Sequence, residues 1–592
     1  MTVLLCFLLP PVFLMYVREK VLGGKIKCSF HGEVKDFLKE YLLSICFLNF
    51  IVIAVTYKLF HHEGVLDAAL MNHTVFAFHY LLLSLFIAAI EPVLENLLRY
   101  HLRVETKKKK THVNINLMLY VYAFVLFLMN FVRVFDNTFW GDEGFSIRLA
   151  QMSVGEMITA TASDVHPPLY YILVQMLYHV FGNNGIAYHL SALIPYAVIV
   201  IIGCTVVRKC FGVIPAAILI TMSSLMKNAV TYNVEVRMYA LAAMFVLIAY
   251  VAFYGVIKNN HLKSWAMFCI SALAAAYTHY YALISVAFLF AMILPLAILQ
   301  KKYRRGMLIS YFAAVLGYLP WLLILIKSFG RTASNWWLAS IPKVSDCYTF
   351  LLDYKWLAAC SLVCFLLFAV YQANFLNISV SKEKKWEDCV DINVNLSHKI
   401  GFNSELYWII SGVISVCGTA AVGLILSYAI RPLFITRYLF PVSAVLYLII
   451  GICASKMKLR KLWCVVLVVA ILWNNVPSYA QCYQTDYQLN SETEKFLDAV
   501  KPEDDAQLVT NNIHMGWTLL QYYYPENNSK YDGNAPTQLD TGYKDIWLIW
   551  EEALDETAET DIRKQHYTPT KIYEGFFANE VYYYVYQLHQ NK

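Results

Sequence analysis

Residues 237–257 have the sequence RMYALAAMFVLIAYVAFYGVI, in which Arg237 is the single charged residue. A helix needs about 20 apolar residues to cross the hydrocarbon core of a bilayer. This stretch has that length, and a basic cluster beginning at Lys258 follows it directly. The stretch therefore predicts a transmembrane helix.

The same rule predicts about fourteen spans along the 592 residues. They lie near 2–17, 39–60, 75–98, 114–133, 186–205, 212–229, 237–257, 264–281, 283–300, 307–327, 356–372, 405–428, 437–454 and 461–477. Charged residues make up 15% of the chain, against about 25% in soluble domains. So apolar a chain could not cover a soluble surface, and we predict a polytopic α-helical membrane protein.

Seven basic clusters each follow an odd-numbered span. They are Arg18–Lys35, Arg99–Lys110, Arg208–Lys209, Lys258–Lys263, Lys301–Arg305, Lys382–Lys385 and Lys456–Lys461. The positive-inside rule then places all seven in the cytoplasm and the C-terminal region outside. Residues 483–592 carry 8 Lys/Arg and 19 Asp/Glu, which agrees with a separate environment for this region. Nucleic acid is not an expected partner, because the basic residues form short clusters between apolar spans.

Three regions follow from this pattern. Residues 1–111 form a predicted accessory membrane module of three helices, and residues 112–480 form the main membrane domain. Residues 481–592 alternate short apolar runs (507–510, 545–550, 580–586) with helix-like stretches (492–500, 515–523, 557–564), which indicates a small extracytoplasmic α/β domain. The polar loop 373–404 is predicted to be a flexible connector.

Two adjacent carboxylates, Asp142 and Glu143, follow the fourth span in the sequence WGDEGFS. Carboxylates near a membrane are costly and are often functional, and one of them could serve as a general base toward an acceptor hydroxyl. The alternative is a solvated loop pair or a pair of charges at a helix N-terminus.

A second group, Asp164 and His166, precedes Pro167 and Pro168, where a helix start would favour an anion. The alternative there is an ordinary cap and turn.

Three more groups fall at the same predicted outer face. Glu235 and Arg237 either pair with each other or leave Arg237 as a fork for a phosphate. His279 and Tyr280 lie in an aromatic turn. Each is either a structural residue of that turn or a residue that contacts a ligand. The third group contains Arg431, Arg437 and Tyr438. Arginines on the outer face call for an anionic partner such as a lipid phosphate, or they extend toward headgroups.

The pair Asp142-Glu143, followed about twenty residues later by DVHPPLYY, resembles the first outer loop of the GT-C glycosyltransferases. This group contains the dolichyl-phosphate-mannose–protein mannosyltransferases and the bacterial aminoarabinose transferases. The stretches VEVRMYAL, YTHYYAL and RPLFITRYLFP also resemble landmarks of the bacterial members. The resemblance covers about residues 114–480 and makes residues 112–480 a GT-C-like catalytic domain.

The resemblance implies inverting transfer of a sugar from a polyprenyl-phosphate donor to an acceptor outside the membrane. Asp142 is then the expected base, and Glu143 supports it. The expected phosphate-binding residues are His166, Arg237, Arg431, Arg437 and Tyr438, and the further site candidates are Asp164, Glu235, His279 and Tyr280.

Two departures refine these expectations. The aminoarabinose transferases carry a Glu where this chain has Val165, so a divalent metal is unsupported, and the residues identify no cofactor. The protein mannosyltransferases carry Gly-Lys after HPPL and a β-trefoil domain, whereas here Tyr170-Tyr171 follow and no such domain fits. A cell-envelope glycan or lipid is therefore favoured over a protein as acceptor. The alternatives are a flippase for a lipid-linked sugar and a non-catalytic scaffold that binds envelope glycans.

Overall fold

The computed structural model describes most of the chain after residue 114. The described ranges are 115–136, 138–164, 166–332, 340–373, 376–382, 390–396, 403–456, 460–513, 515–516, 522–533, 538–540, 542–577 and 581–591. The predicted three-helix module 1–111, with the first three predicted spans, lies outside these ranges.

Helices dominate the described residues. The α-helices are Ile115–Phe131, Gly141–Gln151, Val154–Ser163, Leu169–Phe181, Gly185–Ile202, Arg208–Phe211, Val213–Leu225, Lys227–Tyr232, Tyr239–Asn259, Leu262–Thr278, Tyr280–Leu299, Arg304–Thr332, Val344–Leu352, Lys355–Ala373, Ser404–Ala429, Ser443–Ser455, Arg460–Ala499 and Glu556–Lys564. Short 3-10 helices cover Val132–Phe135, Lys301–Tyr303 and Thr436–Val442, and a π-helix covers Gly203–Val207.

Seven of the described helical segments are long and apolar enough to cross a membrane: Ile115–Phe135, Gly185–Phe211, Tyr239–Asn259, Tyr280–Leu299, Lys301–Lys327, Ser404–Ala429 and Thr436–Ser455. The prediction of a multi-pass helical membrane protein is therefore confirmed, while the count of fourteen spans stays a prediction. The apolar stretch of Tyr239–Asn259 is 72% buried, against 17% for Lys301–Lys327. The helix Tyr239–Asn259 is thus enclosed by its neighbours, as its apolar character on every face requires.

The described chain divides into two compact units, of which the larger contains residues 119–351, 407–449 and 467–592. Of the described residues, the smaller unit contains those within 115–118, 352–406 and 450–466. Within the smaller unit, strands β1 (Leu376–Lys382) and β2 (Val390–Leu396) pair in antiparallel register. The prediction of a flexible connector over 373–404 did not include this hairpin. Both strands alternate apolar and polar residues, which is the period of a β-strand.

A five-stranded mixed sheet forms the C-terminal region, in the order β4-β3-β5-β7-β6. Its strands are β3 (Gln507–Thr510), β4 (Asn528–Tyr531), β5 (Asp545–Trp550), β6 (Tyr567–Phe577) and β7 (Val581–Gln590). Phe496 of the helix Arg460–Ala499 packs on one face of this sheet, and Ile562 of the helix Glu556–Lys564 packs on the other. The predicted small α/β region is therefore confirmed. Strands β3 and β5 have the predicted bounds, whereas β4 and β6 were not predicted.

Candidate active site

The site is built around the start of the helix Gly141–Gln151, called the site helix below. Asp142 and Glu143 lie in its first turn, where carboxylates favour the positive end of the helix dipole. Glu143 Oε2 accepts a hydrogen bond from the backbone N–H of Trp140 at 3.2 Å and so caps the helix. Glu143 Oε1 accepts from the backbone N–H of Val236 at 2.8 Å. The 5% exposed Glu143 therefore ties the site helix to the turn 233–238.

Buried polar groups hold that turn in place. Asn233 donates through Nδ2 to Asn130 Oδ1 at 3.1 Å and to the carbonyl oxygen of Ser223 at 2.9 Å. The two ring nitrogens of His189 lie 2.7 Å from the carbonyl oxygen of Val234 and 3.0 Å from that of Asp136. The turn and the segment before the site helix are thus fixed to the same helix, Gly185–Ile202.

Asp142 lies between two arginines that come from distant parts of the sequence. Its Oδ2 is 3.1 Å from Arg437 Nη1 and 3.8 Å from Arg237 Nη2. Arg237 Nη1 also donates to the backbone carbonyl of Asp142 at 2.9 Å. The guanidinium of Arg437 lies over the Trp140 ring, 5.7 Å from its centroid. The side chain of Asp142 remains 23% exposed, so this carboxylate combines two cationic partners with access from outside.

Glu235 is a second buried carboxylate of the site, after Glu143. Its Oε1 accepts a hydrogen bond from Trp140 Nε1 at 3.0 Å. Burial raises the pKa of Glu235 from 4.5 to about 7, against the opposing influence of Arg237 and Arg437. Burial, together with repulsion from Glu235, also raises the pKa of Glu143 well above its ordinary value. These two buried acids therefore resist ionisation.

Two histidines and a tyrosine border the arginine pair. His166 Nδ1 is 2.9 Å from Asp164 Oδ2, and the His166 and His279 ring centroids are 6.2 Å apart. The His279 ring is in turn 5.3 Å from that of Tyr438. Burial lowers the pKa of His166, against the opposing influence of Asp164. Burial, followed by repulsion from His166, holds the pKa of His279 well below its ordinary value.

Neutral imidazoles offer hydrogen bonds rather than charge, so the arginines supply the positive charge of this cluster. His279 Nδ1 accepts from the backbone N–H of Tyr281 at 3.1 Å. The proton of its neutral ring is therefore carried on Nε2.

The structure brings most of the predicted residues together. One connected cluster contains Asp142, Glu143, Asp164, His166, Glu235, Arg237, His279, Arg437 and Tyr438. Tyr280 instead accepts a hydrogen bond through its hydroxyl oxygen from Trp321 Nε1 at 3.3 Å, within an aromatic group on the helix Arg304–Thr332. Arg431 lies on the turn before the 3-10 helix Thr436–Val442. Arg437, which pairs with Asp142, lies in that helix.

Trp140 and Tyr239 belong to the cluster although the sequence did not single them out. Trp140 bonds Glu235 and faces Arg437, and the Tyr239 ring is 5.7 Å from that of His279. The position of Trp140, two residues before Asp142, was the available signal. Tyr239 carried none, because a tyrosine at the start of an apolar helix is ordinary at a membrane interface.

The C-terminal region lies against the segment that precedes the site helix. Arg133 forms a buried ion pair with Asp486 on the helix Arg460–Ala499, with Nε 2.7 Å from Oδ2. The Tyr522 ring lies 4.8 Å from that of Phe139, and Asn183 Nδ2 donates to the carbonyl oxygen of Tyr522 at 3.0 Å. The α/β region is therefore packed onto the site rather than tethered away from it.

Among the residues that the structure describes, no group of three or more His, Cys, Asp or Glu side chains is arranged to hold a metal ion. The chemistry available to the cluster is that of two partly exposed carboxylates, Asp142 and Asp164 (23% and 31% exposed), two guanidinium groups, neutral imidazoles and tyrosine hydroxyls.

The chain is similar to several solved structures, two of which are described next. The chain resembles the crystal structure of ArnT from Cupriavidus metallidurans in the apo state, with a TM-score of 0.48 and 10% identity over 80% of this chain and 97% of ArnT. For ArnT bound to undecaprenyl phosphate the TM-score is 0.47 and the identity 11%, with the same coverage. No family model and no curated protein matches the chain. At this level of similarity a likeness does not assign a function, which must come from the residues of the site.

Proposed function

We propose that this protein is a membrane glycosyltransferase that moves a sugar from a polyprenyl-phosphate donor to a glycan or lipid acceptor outside the cytoplasm. The observation that carries the proposal is the contact of one accessible carboxylate, Asp142, with both Arg237 and Arg437. Transfer from a sugar phosphate requires these two kinds of group side by side. A base must take the proton of the acceptor hydroxyl, and cations must neutralise the departing phosphate.

Asp142 is the base that accessibility favours. Glu143 and Glu235 are 5% and 7% exposed, and each already accepts hydrogen bonds within the protein. Their raised pKa values also oppose the ionised form that a base needs at the start of the reaction. Asp142 is 23% exposed and lies beside two cations, so an acceptor hydroxyl can reach it next to the groups that would bind the phosphate. Asp164, 31% exposed, is instead paired with His166. Glu143 then supports Asp142 by fixing the start of the site helix.

The proposed step is a single displacement at the anomeric carbon. Asp142 accepts the proton of the acceptor hydroxyl while the hydroxyl oxygen bonds to the anomeric carbon from the face opposite the phosphate. The bond between the anomeric carbon and the phosphate oxygen breaks, and its electron pair leaves on the lipid phosphate. The configuration is inverted, and the phosphate needs no general acid because it is a good leaving group.

The arginines hold an internal anion until the donor arrives. Asp142 fills part of their coordination in the donor-free protein, and the donor phosphate offers two or three oxygens to the same forks. A bound phosphate would thus draw Arg237 and Arg437 away from Asp142 and free its carboxylate for the acceptor hydroxyl. The hydroxyl of the nearby Tyr438 would donate a hydrogen bond to the phosphate oxygens. His166, whose Nδ1 is held by Asp164, could donate to them through Nε2 only in its protonated form.

The orientation and the division of the chain belong to the same proposal. The seven basic clusters support a cytoplasmic location for the opposite ends of the spans, which leaves the site and the acidic C-terminal region outside. The catalytic membrane domain then covers about residues 112–480, the outer α/β domain covers 481–592, and residues 1–111 form an accessory module.

A donor-cleavage assay tests the proposal. The full-length protein in lipid nanodiscs is incubated with undecaprenyl phosphate carrying a radiolabelled pentose or hexose, with and without an extract of envelope glycans and lipids. The expected result is release of undecaprenyl phosphate and transfer of the label. Movement of the intact donor between leaflets of a proteoliposome without bond cleavage would instead identify a transporter. If neither cleavage nor movement is observed, the remaining alternative is the glycan-binding scaffold.

A further inference from the structure

A polar cavity of about 410 Å³ lies between the site helix and the C-terminal region. The site helix contributes Arg148, Gln151 and Met152, and the C-terminal region contributes Tyr524, Asn527 and Ser529. Its volume falls in the range of ~300–1,000 Å³ that is typical of small-molecule sites. The cavity is distinct from the cluster around Asp142, whose residues do not line it.

The lining is fixed in place before any ligand arrives. The Tyr524 hydroxyl donates to the carbonyl oxygen of Val500 at 2.8 Å. Asn527 Nδ2 donates to the carbonyl oxygens of Glu503 and Ala506 at 2.6 and 3.2 Å. Because the amide nitrogen of Asn527 is engaged, its oxygen is the atom left to accept from a ligand hydroxyl. An aromatic ring and an amide held rigidly by the backbone lower the entropy cost of binding.

The chemistry of the lining points to an anionic sugar. Arg148 is the single charged residue of the lining, and a guanidinium binds carboxylate or phosphate oxygens in a fork. Amides and hydroxyls such as those of Gln151, Asn527 and Ser529 bind sugar hydroxyls, while the tyrosine ring suits the apolar face of a pyranose. Arg148 and Gln151 are spaced i and i+3, so they share one face of the site helix, and Met152 follows as its extended C-cap.

The cavity is also within reach of the site. Asp142 and Arg148 lie on the same helix, and their separation of six positions corresponds to about 9 Å along its axis. The two positions are also about 120° apart around the helix axis, so a saccharide chain that reaches from the cavity to the carboxylate would pass around the site helix. Binding of a unit remote from the reacting group can hold the acceptor hydroxyl in position for reaction.

We propose that this cavity binds an acidic saccharide unit of the acceptor, next to the unit that receives the sugar. Arg148 binds the carboxylate or phosphate substituent, and Tyr524 and Asn527 bind the ring. The inference rests on the proposed glycosyltransferase function for the role of the bound saccharide, and the C-terminal region thereby becomes part of the acceptor site.

A binding experiment on the full-length protein in nanodiscs tests this. Isothermal titration compares trigalacturonate, maltotriose and inorganic phosphate on the wild type, Arg148→Gln and the control Arg563→Gln, which removes an exposed arginine of the same region. Trigalacturonate should bind the wild type and Arg563→Gln equally, and Arg148→Gln about tenfold more weakly, because a charge-assisted contact is lost. Maltotriose should bind more weakly than trigalacturonate and be insensitive to Arg148→Gln.

Three outcomes would overturn the inference: no binding of trigalacturonate, equal binding to wild type and Arg148→Gln, or binding of free phosphate as tight as that of trigalacturonate. Undecaprenyl phosphate binding is measured on the same samples. Its retention in Arg148→Gln shows that the variant is folded. A wild type that binds trigalacturonate through Arg148 but neither binds nor cleaves the lipid donor would refute the proposed function and leave the saccharide site standing.

Discussion

The carboxylate of Asp142 and the guanidinium of Arg437 form an ion pair, with Oδ2 3.1 Å from Nη1, although they lie in distant segments of the chain. Arg237 completes the arrangement from a third segment, 3.8 Å from the same oxygen. Under the proposed function, this carboxylate lies where a lipid phosphate and an acceptor hydroxyl would meet. This relationship determines what substitutions at the site should do.

Replacement of Asp142 by Asn should abolish sugar transfer while donor binding survives. Removal of a general base costs about 10²–10⁴-fold in rate, whereas loss of the internal anion leaves both arginines open to the phosphate. Transfer of labelled sugar and titration with undecaprenyl phosphate measure the two effects separately. The control is Asp498→Asn, at a side chain 84% exposed. Transfer by Asp142→Asn at close to the wild-type rate would eliminate Asp142 as the base.

Substitution of Arg437 should act on the donor rather than on the acceptor. Arg437→Gln should raise the KM for the lipid donor at least about tenfold, because a charge-assisted contact to phosphate is lost. Arg437→Lys should recover only part of this, since an ammonium group cannot form the fork or stack on Trp140 in the same way. Steady-state kinetics with each substrate varied in turn check the prediction. An unchanged donor KM with a raised acceptor KM would contradict it.

Glu143 should matter for stability more than for chemistry. Glu143→Ala leaves the buried backbone N–H of Val236 and the partly buried one of Trp140 without their acceptor, at a cost of about 2 kcal/mol. Glu156→Ala is the matched control, because Glu156 caps the helix Val154–Ser163 in the same way at an exposed position. Thermal unfolding in detergent should show a clearly larger loss for Glu143→Ala. Equal melting temperatures for the two variants would exclude the tying role of Glu143.

Glu235 predicts a specific dependence of stability on pH. Its pKa is raised from 4.5 to about 7, so the folded state binds this proton more tightly than the unfolded state does. The stabilisation is complete below pH ~4.5 and is lost as the pH rises toward 7. Glu235→Gln cannot ionise, so its melting temperature relative to the wild type should increase between pH 4.5 and 7 and then level off. A difference that stays constant over this range would refute the assignment.

The ion pair between Arg133 and Asp486 should hold the C-terminal region on the membrane domain. Their side chains are 7% and 18% exposed, and removal of one partner of a buried pair costs about 3 kcal/mol. Asp486→Asn should therefore lower the melting temperature markedly and expose the 500–506 region to limited proteolysis. The same change at the exposed Asp498 should do neither. Equal melting temperatures and equal proteolysis of the two variants would show that Asp486 does not hold the C-terminal region on the membrane domain.

The fold could be predicted wherever the signal was local. Apolar runs of about 20 residues predicted helices such as Tyr239–Asn259, and short apolar runs predicted β3 and β5 with their correct bounds. Strand β4 has the polar sequence NSKY, and it is a strand because it pairs with β3. The hairpin of β1 and β2 was missed although its alternating pattern was present, because polarity was taken as the sign of a connector.

The sequence by itself determined that this chain is a helical membrane protein and which residue types are available to its site. Apolar length and charge are local properties, and they decide whether a segment enters a bilayer. Only the tertiary structure decided that Arg237 pairs with Asp142 and that Glu143 is a buried tie between the site helix and a distant turn. How exposed each carboxylate is depends on how the site helix, the turn 233–238 and the 3-10 helix Thr436–Val442 pack together, and no property of adjacent residues contains that information.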